Sequence, residues 1–230
     1  MQHFASDNYA GICPEALDAL IAANHSGHEP AYGDDSWTNQ VCDRLRELFQ
    51  TDCEVFFVFN GTAANSLALG VHPSEITWRA GVDVLCFGGT KNGLPVGEAV
   101  VFFDRSLADD FAYRLKQAGQ LASKMRFISA PWLGLLDNDV WLRNARHANA
   151  MAELLQTRLR EIPGVSIMFE RESNAVFAQL PAQAAKAMRA RGWKFYEFIG
   201  AGGCRLMCAW DTQPETVERF AADVRELCAA

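Results

Sequence analysis

The 230-residue chain lacks the features that mark membrane, secreted and nucleic-acid-binding proteins. No apolar run is long enough to cross a bilayer, and the first residues lack the basic region and apolar core of a signal peptide. Acidic residues outnumber basic ones, 28 to 21, and the net charge of −7 argues against non-specific binding to nucleic acid. Half of the residues are hydrophobic, which is enough for a packed core.

The cysteines and histidines lack the pairing of a metal or redox motif. There are seven cysteines, an odd number; no two form a CxxC pair, and most lie in apolar segments. Reduced, buried thiols are the simplest interpretation, which predicts a cytoplasmic protein. His25 and His28 have the spacing of a metal pair, but no third ligand accompanies them, so we predict no metal site.

The chain is organised around residues 82–97, in which a lysine lies between glycines after an apolar run. Residues 82–87 have the composition of a buried parallel strand, and a second apolar strand follows at residues 98–103. Lys91 lies between the two, although lysine normally occupies a solvated surface. Glycines let the backbone approach a ligand, and a desolvated amine can attack a carbonyl to form a Schiff base. From this stretch alone, a surface hairpin with a solvated lysine is an equally good interpretation.

A second turn, made of small residues, has the pattern of an anion site. Residues 55–59 predict a buried strand, residues 60–65 form the turn, and a helix is predicted to begin at Ser66. Free N–H groups at a helix N-terminus, with the hydroxyl of Thr62, would bind a phosphate. An ordinary strand–helix turn has the same pattern, so this interpretation depends on its pairing with the lysine stretch.

The second half predicts a small α+β unit after a long helix. An amphipathic helix is predicted from Leu135 to about Ile162, where proline and glycine end it. The order after this helix is β-β-α-β-β-α, whereas the first half offers few strands for a self-sufficient α/β sheet. We therefore predict a first domain of residues 1–131 and a second of residues 132–230.

The chain resembles the low-specificity threonine aldolases, in the aromatic amino acid β-eliminating lyase and threonine aldolase group. Six motifs carry the resemblance: FASDNYAGI (4–12), YGDD (32–35), FNGTAAN (59–65), CFGGTKNG (86–93), QLASKMR (120–126) and RLMCAWD (205–211). It implies the α/β fold of type I pyridoxal-phosphate-dependent transferases, the aspartate aminotransferase type, with a truncated large domain and a small C-terminal α+β domain. It also implies an aldehyde-lyase of amino acid metabolism, which uses pyridoxal 5′-phosphate to cleave L-threonine and related β-hydroxy-α-amino acids to glycine and an aldehyde.

The resemblance implies roles for individual residues. Lys91 matches the catalytic lysine that forms a Schiff base with the cofactor, and Gly61 and Thr62 match ligands of the cofactor phosphate. Ser6 and Arg205 match the groups that hold the substrate carboxylate, for which a guanidinium is suited to bidentate binding. A surface salt bridge is the alternative for the arginine.

Four further residues are expected near the active site of a homo-oligomer, a dimer or tetramer, because family members assemble active sites between subunits. Lys124 and Arg126 are candidates for contact with a cofactor phosphate, in their own or a neighbouring subunit. Tyr32 and Asp35 are candidates for substrate contact across an interface. A solvated basic face is the alternative for the first pair.

The resemblance is interrupted after Leu69. In the family, a long middle section stands between the residues that match Leu69 and Val71. It carries the histidine that stacks on the cofactor ring and an Asp-Gly-Ala-Arg motif whose Asp pairs with the pyridine nitrogen. This chain has none of it, a loss on the order of a hundred residues at about 30 residues per βαβ unit. Two hypotheses follow: an enzyme of the threonine aldolase type, or a catalytically silent remnant that binds cofactor or full-length subunits.

Overall fold

The computed structural model describes residues 4–58, 72–199 and 202–229. The chain divides into two compact units, which we call the lysine unit (Gly11–Leu142) and the C-terminal unit (Met1–Ala10 with Arg143–Ala230). The predicted division after residue 131 falls inside a helix of the lysine unit, and as a division into functional domains it stays a prediction. Within the described ranges, no helix has both the length and the apolar character that a membrane span needs.

The described part of the lysine unit combines four helices with three short strands. The helices are α1 (Pro14–His25), α2 (Ser36–Phe49), α3 (Phe111–Gln117) and α4 (Arg126–Leu136). The strands are β1 (Glu54–Val58), β2 (Val84–Gly88) and β3 (Glu98–Phe102). Helix α5 (Val140–Arg160) begins in this unit and continues into the C-terminal unit.

The three strands form a sheet of order β1-β3-β2, in which β3 is antiparallel to both neighbours. β1 and β2 therefore run parallel on either side of β3, and they end at the same edge of the sheet because Val58 and Gly88 both pair with Glu98. Every residue of β3 is buried, as the apolar pattern predicts for a central strand.

The predicted strand before Lys91 is present, but the prediction that it is buried and parallel to its neighbour is wrong. β2 pairs with an antiparallel neighbour, Val84 is 36% exposed, and Cys86 is exposed as well. Among the described residues, no strand pairs with the second edge of β2. The apolar composition of this strand suits a central position in a wider sheet, which the described part of the chain does not provide.

Helix α4 is the centre of packing in the lysine unit. It lies against α1 and α2, and its approach to α1 is so close that a Cβ on Gly134 would stand 2.0 Å from the carbonyl oxygen of Glu15. Trp132 on the same helix is fully buried and packs against Phe57 and Phe87 of the sheet. The sheet end that carries Lys91 therefore rests on a rigid helical layer.

The predicted long helix is two helices. Asn138 and Asp139 have φ angles of 54° and 55°, in the left-handed region, and two such residues in succession interrupt a right-handed helix. α4 therefore ends at Leu136, and α5 runs from Val140 to Arg160 instead of from Leu135 to Ile162.

The C-terminal unit has the predicted order β-β-α-β-β-α after α5. Its elements are β4 (Ser166–Ile167), β5 (Ala175–Gln179), α6 (Ala182–Ala190), β6 (Tyr196–Ile199), β7 (Gly203–Met207) and α7 (Pro214–Ala229). The strands form an antiparallel sheet of order β4-β5-β7-β6. The core of this unit includes Leu155 of α5, Leu206 of β7 and Phe220 of α7, all fully buried.

The N-terminal arm belongs to the core of the C-terminal unit. Phe4 is fully buried, and its ring packs against Trp193 and Phe220. Its backbone N–H donates to the carbonyl of Lys194, and its carbonyl accepts from the N–H of Met207. The arm is thereby anchored to β7.

Candidate functional site

Lys91 lies on a tight 3₁₀ turn, Thr90–Asn92, directly after β2. Its side chain is exposed, and within the described ranges it makes neither a hydrogen bond nor an ion pair. The structure thus combines an unengaged amine with a strand end, as the Schiff-base interpretation requires. It places the lysine on a short turn rather than in the apolar pocket that desolvation of the amine would need.

The backbone around Lys91 is held at both ends of the turn. On the near side, the Glu98 carboxylate accepts hydrogen bonds from the Gly89 N–H and from the Thr90 hydroxyl, each of 2.6 Å. On the far side, the Asn92 amide donates to the Trp141 carbonyl at 3.0 Å, and the Gly93 carbonyl accepts from the Cys13 N–H at 2.9 Å. The turn is therefore a rigid platform for the lysine.

The glycine before the turn is required by close packing. A Cβ on Gly89 would stand 2.2 Å from the side chain of Leu94 and 2.9 Å from that of Trp132. At the other end, Gly93 has a φ of 112°, which favours glycine. Gly89 and Gly93, which flank the turn, are therefore required by the fold of the turn itself.

Glu98 is a residue of this region that sequence analysis missed. It is 3% exposed, and burial raises the pKa of its carboxyl group above the usual value. The hydrogen bonds from Thr90 and Gly89 and the charge of Lys91 oppose that rise. The only sequence signal is an acidic residue at the start of an otherwise apolar strand.

The predicted phosphate ligands Gly61 and Thr62 lie outside the described residues. The structure does describe Val58, the last residue of β1, which flanks Glu98 opposite Gly88. The chain therefore leaves β1 at the same end of the sheet at which β2 leads into the Lys91 turn. This placement and the unengaged amine fit the covalent binding of pyridoxal phosphate near this sheet end.

The predicted carboxylate-binding residues Ser6 and Arg205 both lie in the C-terminal unit. Arg205 lies on β7, is half-buried, and its guanidinium stands 5.4 Å from the ring centre of Tyr196. The half-buried Ser6 follows the arm residue Phe4, which is hydrogen-bonded to β7 two positions beyond Arg205. The arm that carries Ser6 is therefore hydrogen-bonded to β7, the strand that carries Arg205.

Asp35 has a structural role that sequence analysis missed. It is fully buried and caps α2, where its two oxygens accept from the N–H of Thr38 at 2.8 Å and from the Thr38 hydroxyl at 2.9 Å. The same hydroxyl is 2.7 Å from that of Ser129 on α4. Both oxygens of Asp35 are engaged within its own unit, which does not favour its assignment to contact across an interface.

Tyr32 and the basic pair lie on connected segments. Tyr32 is 57% exposed, has a φ of 62°, and donates its backbone N–H to the carbonyl of Ser123. Lys124 is exposed beside that contact, and Arg126 at the start of α4 holds its guanidinium 4.6 Å from the ring centre of Phe127. The exposed side chains of Tyr32 and Lys124 are accessible to another molecule, as their predicted roles require.

Comparison with known proteins identifies relatives along the whole chain. A sequence model of the beta-eliminating lyase family matches residues 3–77 and 69–183. Two proteins named low specificity L-threonine aldolase, from Pseudomonas sp. (strain NCIMB 10558) and Pseudomonas aeruginosa, are 42% and 43% identical over 342 residues. In each case the match covers 100% of this chain and 99% of the relative.

Solved structures agree on the fold. A threonine aldolase from Leishmania major has a TM-score of 0.88 at 18% identity, and the match covers 99% of this chain and 100% of the other. An aspartate aminotransferase from Thermus thermophilus has a TM-score of 0.61 at 14% identity, over 99% and 98% of the two chains. These similarities confirm the predicted type I fold.

The comparisons also confirm that a large internal section is missing. The alignments with the Pseudomonas proteins span 342 positions against 230 residues here, so at least 112 positions have no residue in this chain. The two segments that match the family model overlap at residues 69–77. The interruption therefore lies where the motifs predicted it.

Proposed function

This chain belongs to the beta-eliminating lyase family, and we propose that it uses pyridoxal phosphate to cleave L-threonine and related β-hydroxy-α-amino acids to glycine and an aldehyde. The observation that carries the proposal is the Lys91 turn. Its amine makes no hydrogen bond or ion pair with the described residues, and its backbone is held by Glu98, Asn92 and Gly93. The names of the Pseudomonas relatives support the substrate class.

The cofactor, when bound, accepts the electron pair that bond cleavage leaves on the amino acid Cα. Lys91 would hold it covalently, and Gly61 and Thr62 would bind its phosphate through N–H and hydroxyl groups. Lys124 and Arg126 would add positive charge toward a phosphate, in the same or a neighbouring subunit. Each of these roles is a proposal supported by the position of the residue in its motif.

The proposed function has a direct test. The purified chain, incubated with pyridoxal phosphate and freed of excess by gel filtration, should retain a visible absorption band. With L-threonine it should then form glycine and acetaldehyde in equal amounts, and only after cofactor loading. A protein that retains no cofactor and forms no glycine would refute the proposal.

The comparisons support the enzyme and do not favour the silent remnant, which stays an alternative only because at least 112 aligned positions of the relatives have no residue here. The same preparation separates the two. A retained visible band without glycine formation would support the remnant, whereas a band with glycine formation would support the enzyme.

We propose that Arg205 and Ser6 hold the substrate carboxylate. Arg205→Ala should weaken glycine binding to the cofactor-loaded protein at least about tenfold, since one charge-assisted hydrogen bond contributes about 1.5–3 kcal/mol. The measurement is a glycine titration followed by absorbance. Arg219→Ala is the matched control, because that arginine also stands over an aromatic ring, Trp193, in the same unit. A dissociation constant that is equal in wild type and Arg205→Ala would eliminate this role.

We also propose a homo-oligomer, a dimer or tetramer, in the cytoplasm. Leu17 and Ile21 support the association because they lie one turn apart on α1 and are 41% and 46% exposed. The exposed Tyr32 would be available at such an interface, as its motif suggests. The seven cysteines, all within the described residues, form no disulfide with one another, which supports a reducing compartment.

A further inference from the structure

We propose that Glu98 is the positioning residue for Lys91, because its carboxylate fixes the part of the turn that leads into the lysine. The inference rests on the proposed function only in that Lys91 is taken as the residue that binds the cofactor. The claim about the backbone can be tested without any cofactor.

Glu98 occupies the centre of the sheet end. It is the first residue of β3, with Val58 of β1 on one side and Gly88 of β2 on the other. One carboxylate oxygen accepts from the Gly89 N–H and the other from the Thr90 hydroxyl. Both bonds, at 2.6 Å, are as short as charge-assisted hydrogen bonds to a carboxylate.

The two donors that bind to Glu98 follow the last residue of β2 and lie outside the hydrogen-bonded ladder of the sheet. The β2–β3 ladder ends at the pair Gly88 and Glu98, so Gly89 and Thr90 have no partner strand among the described residues. A buried N–H without a partner is costly, and a side chain that reaches past the end of the strand removes that cost. Ala99–Phe102, the rest of β3, is apolar, so the acid serves a purpose that packing alone does not require.

Among the described contacts, Glu98 accepts from the Gly89 N–H and the Thr90 hydroxyl that precede Lys91. The carbonyls of Gly89 and Thr90 accept from N–H groups within the turn itself. The Asn92 amide and the Gly93 carbonyl are bound after the lysine, to Trp141 and Cys13. Loss of Glu98 should therefore loosen the approach to Lys91 and leave the exit of the turn in place. The consequence would be a Lys91 backbone that is held less firmly, so that the amine is presented to the site less often.

Hydrogen–deuterium exchange of the cofactor-free protein tests the backbone claim. In Glu98→Ala, a peptide that contains residues 88–91 should exchange at least about tenfold faster, the effect of one lost charge-assisted hydrogen bond. Glu98→Gln should stay within about threefold of wild type, since its carbonyl can accept from Gly89 and its amide can donate to Thr90. Peptides from α6 provide the internal control.

Labelling tests the positioning of the amine. After treatment with pyridoxal phosphate and borohydride, the ratio of label on Lys91 to label on the exposed Lys116 should fall at least about tenfold in Glu98→Ala. Glu98→Gln should restore the ratio. A residue that only stabilised the fold would not change the ratio of two lysines in one folded molecule, nor be rescued by its amide.

Unchanged exchange in Glu98→Ala, or an unchanged labelling ratio, would overturn the proposal. If Glu98→Ala does not fold, Thr90→Val removes one of the two bonds and should still reduce the ratio about threefold or more; wild-type behaviour in that variant would overturn it as well. If exchange responds as expected but wild-type Lys91 takes up no label, the positioning claim stands and the proposed cofactor role of Lys91 is refuted.

Discussion

Replacing Lys91 with alanine should reduce covalent attachment of the cofactor from one label per chain to the background of exposed lysines. The amine of Lys91 makes no hydrogen bond within the part of the chain that the structure describes, and its turn is held at both ends. Other exposed lysines, such as Lys116 and Lys186, lie on helices. A lysine whose backbone is held close to a bound carbonyl reacts with it at high effective concentration, and a lysine on a surface helix away from the site does not.

The measurement is borohydride reduction followed by tryptic mass mapping. A label on Lys91 blocks cleavage there and yields a peptide of residues 80–105, which is diagnostic because Arg79 and Arg105 are the flanking cleavage sites. Lys116→Ala is the control and should retain the full label. If the label is spread over surface lysines, or persists in Lys91→Ala, the lysine was misassigned.

The second large effect concerns the missing section. We expect the chain by itself to cleave L-threonine at least about 100-fold more slowly than the Pseudomonas aeruginosa relative, while it retains most of its cofactor labelling. Positioned groups for proton transfer each contribute about 10²–10⁴-fold, and the cofactor accepts charge well only when its ring nitrogen is protonated. The resemblance places the aspartate and histidine that serve the ring in the section this chain lacks.

The described residues offer a poor substitute for that aspartate. Asp83 precedes β2 and is exposed at the end of the strand opposite Lys91, where its carbonyl accepts from the N–H groups of Phe103 and Asp104. The strand Val84–Gly88 is five residues long, so at about 3.3 Å per residue it holds Asp83 roughly 16 Å from the start of the Lys91 turn.

The experiment compares the two proteins under one set of conditions, with labelling to report cofactor attachment and coupled aldehyde detection to report cleavage. A chimera that inserts the relative's middle section between Leu69 and Val71 is the matched control and should recover most of the turnover. Cleavage by the unmodified chain at the relative's rate would show that the section is dispensable.

The local sequence pattern was sufficient to predict the order of the strands and helices in the C-terminal unit. The alternation of apolar strands and amphipathic helices predicted β-β-α-β-β-α, because each of these elements buries one face within its own short segment. The glycines around Lys91 predicted a tight turn for a similarly local reason, since Gly93 has a φ that favours glycine.

The sequence by itself determined the family, the lysine turn and the order of the C-terminal elements, because motifs, glycines and periodicity are properties of neighbouring residues. Only the tertiary structure decided the exposure of Val84 on β2, the complete burial of Asp35 and the place of Glu98 over the Lys91 turn. Each of these depends on residues that are distant in sequence, such as those of a neighbouring strand or a packed helix. The sequence of an apolar strand does not show whether its neighbouring strands are present. A carboxylate is expected on the surface, and only the fold shows that it is buried against two hydrogen-bond donors.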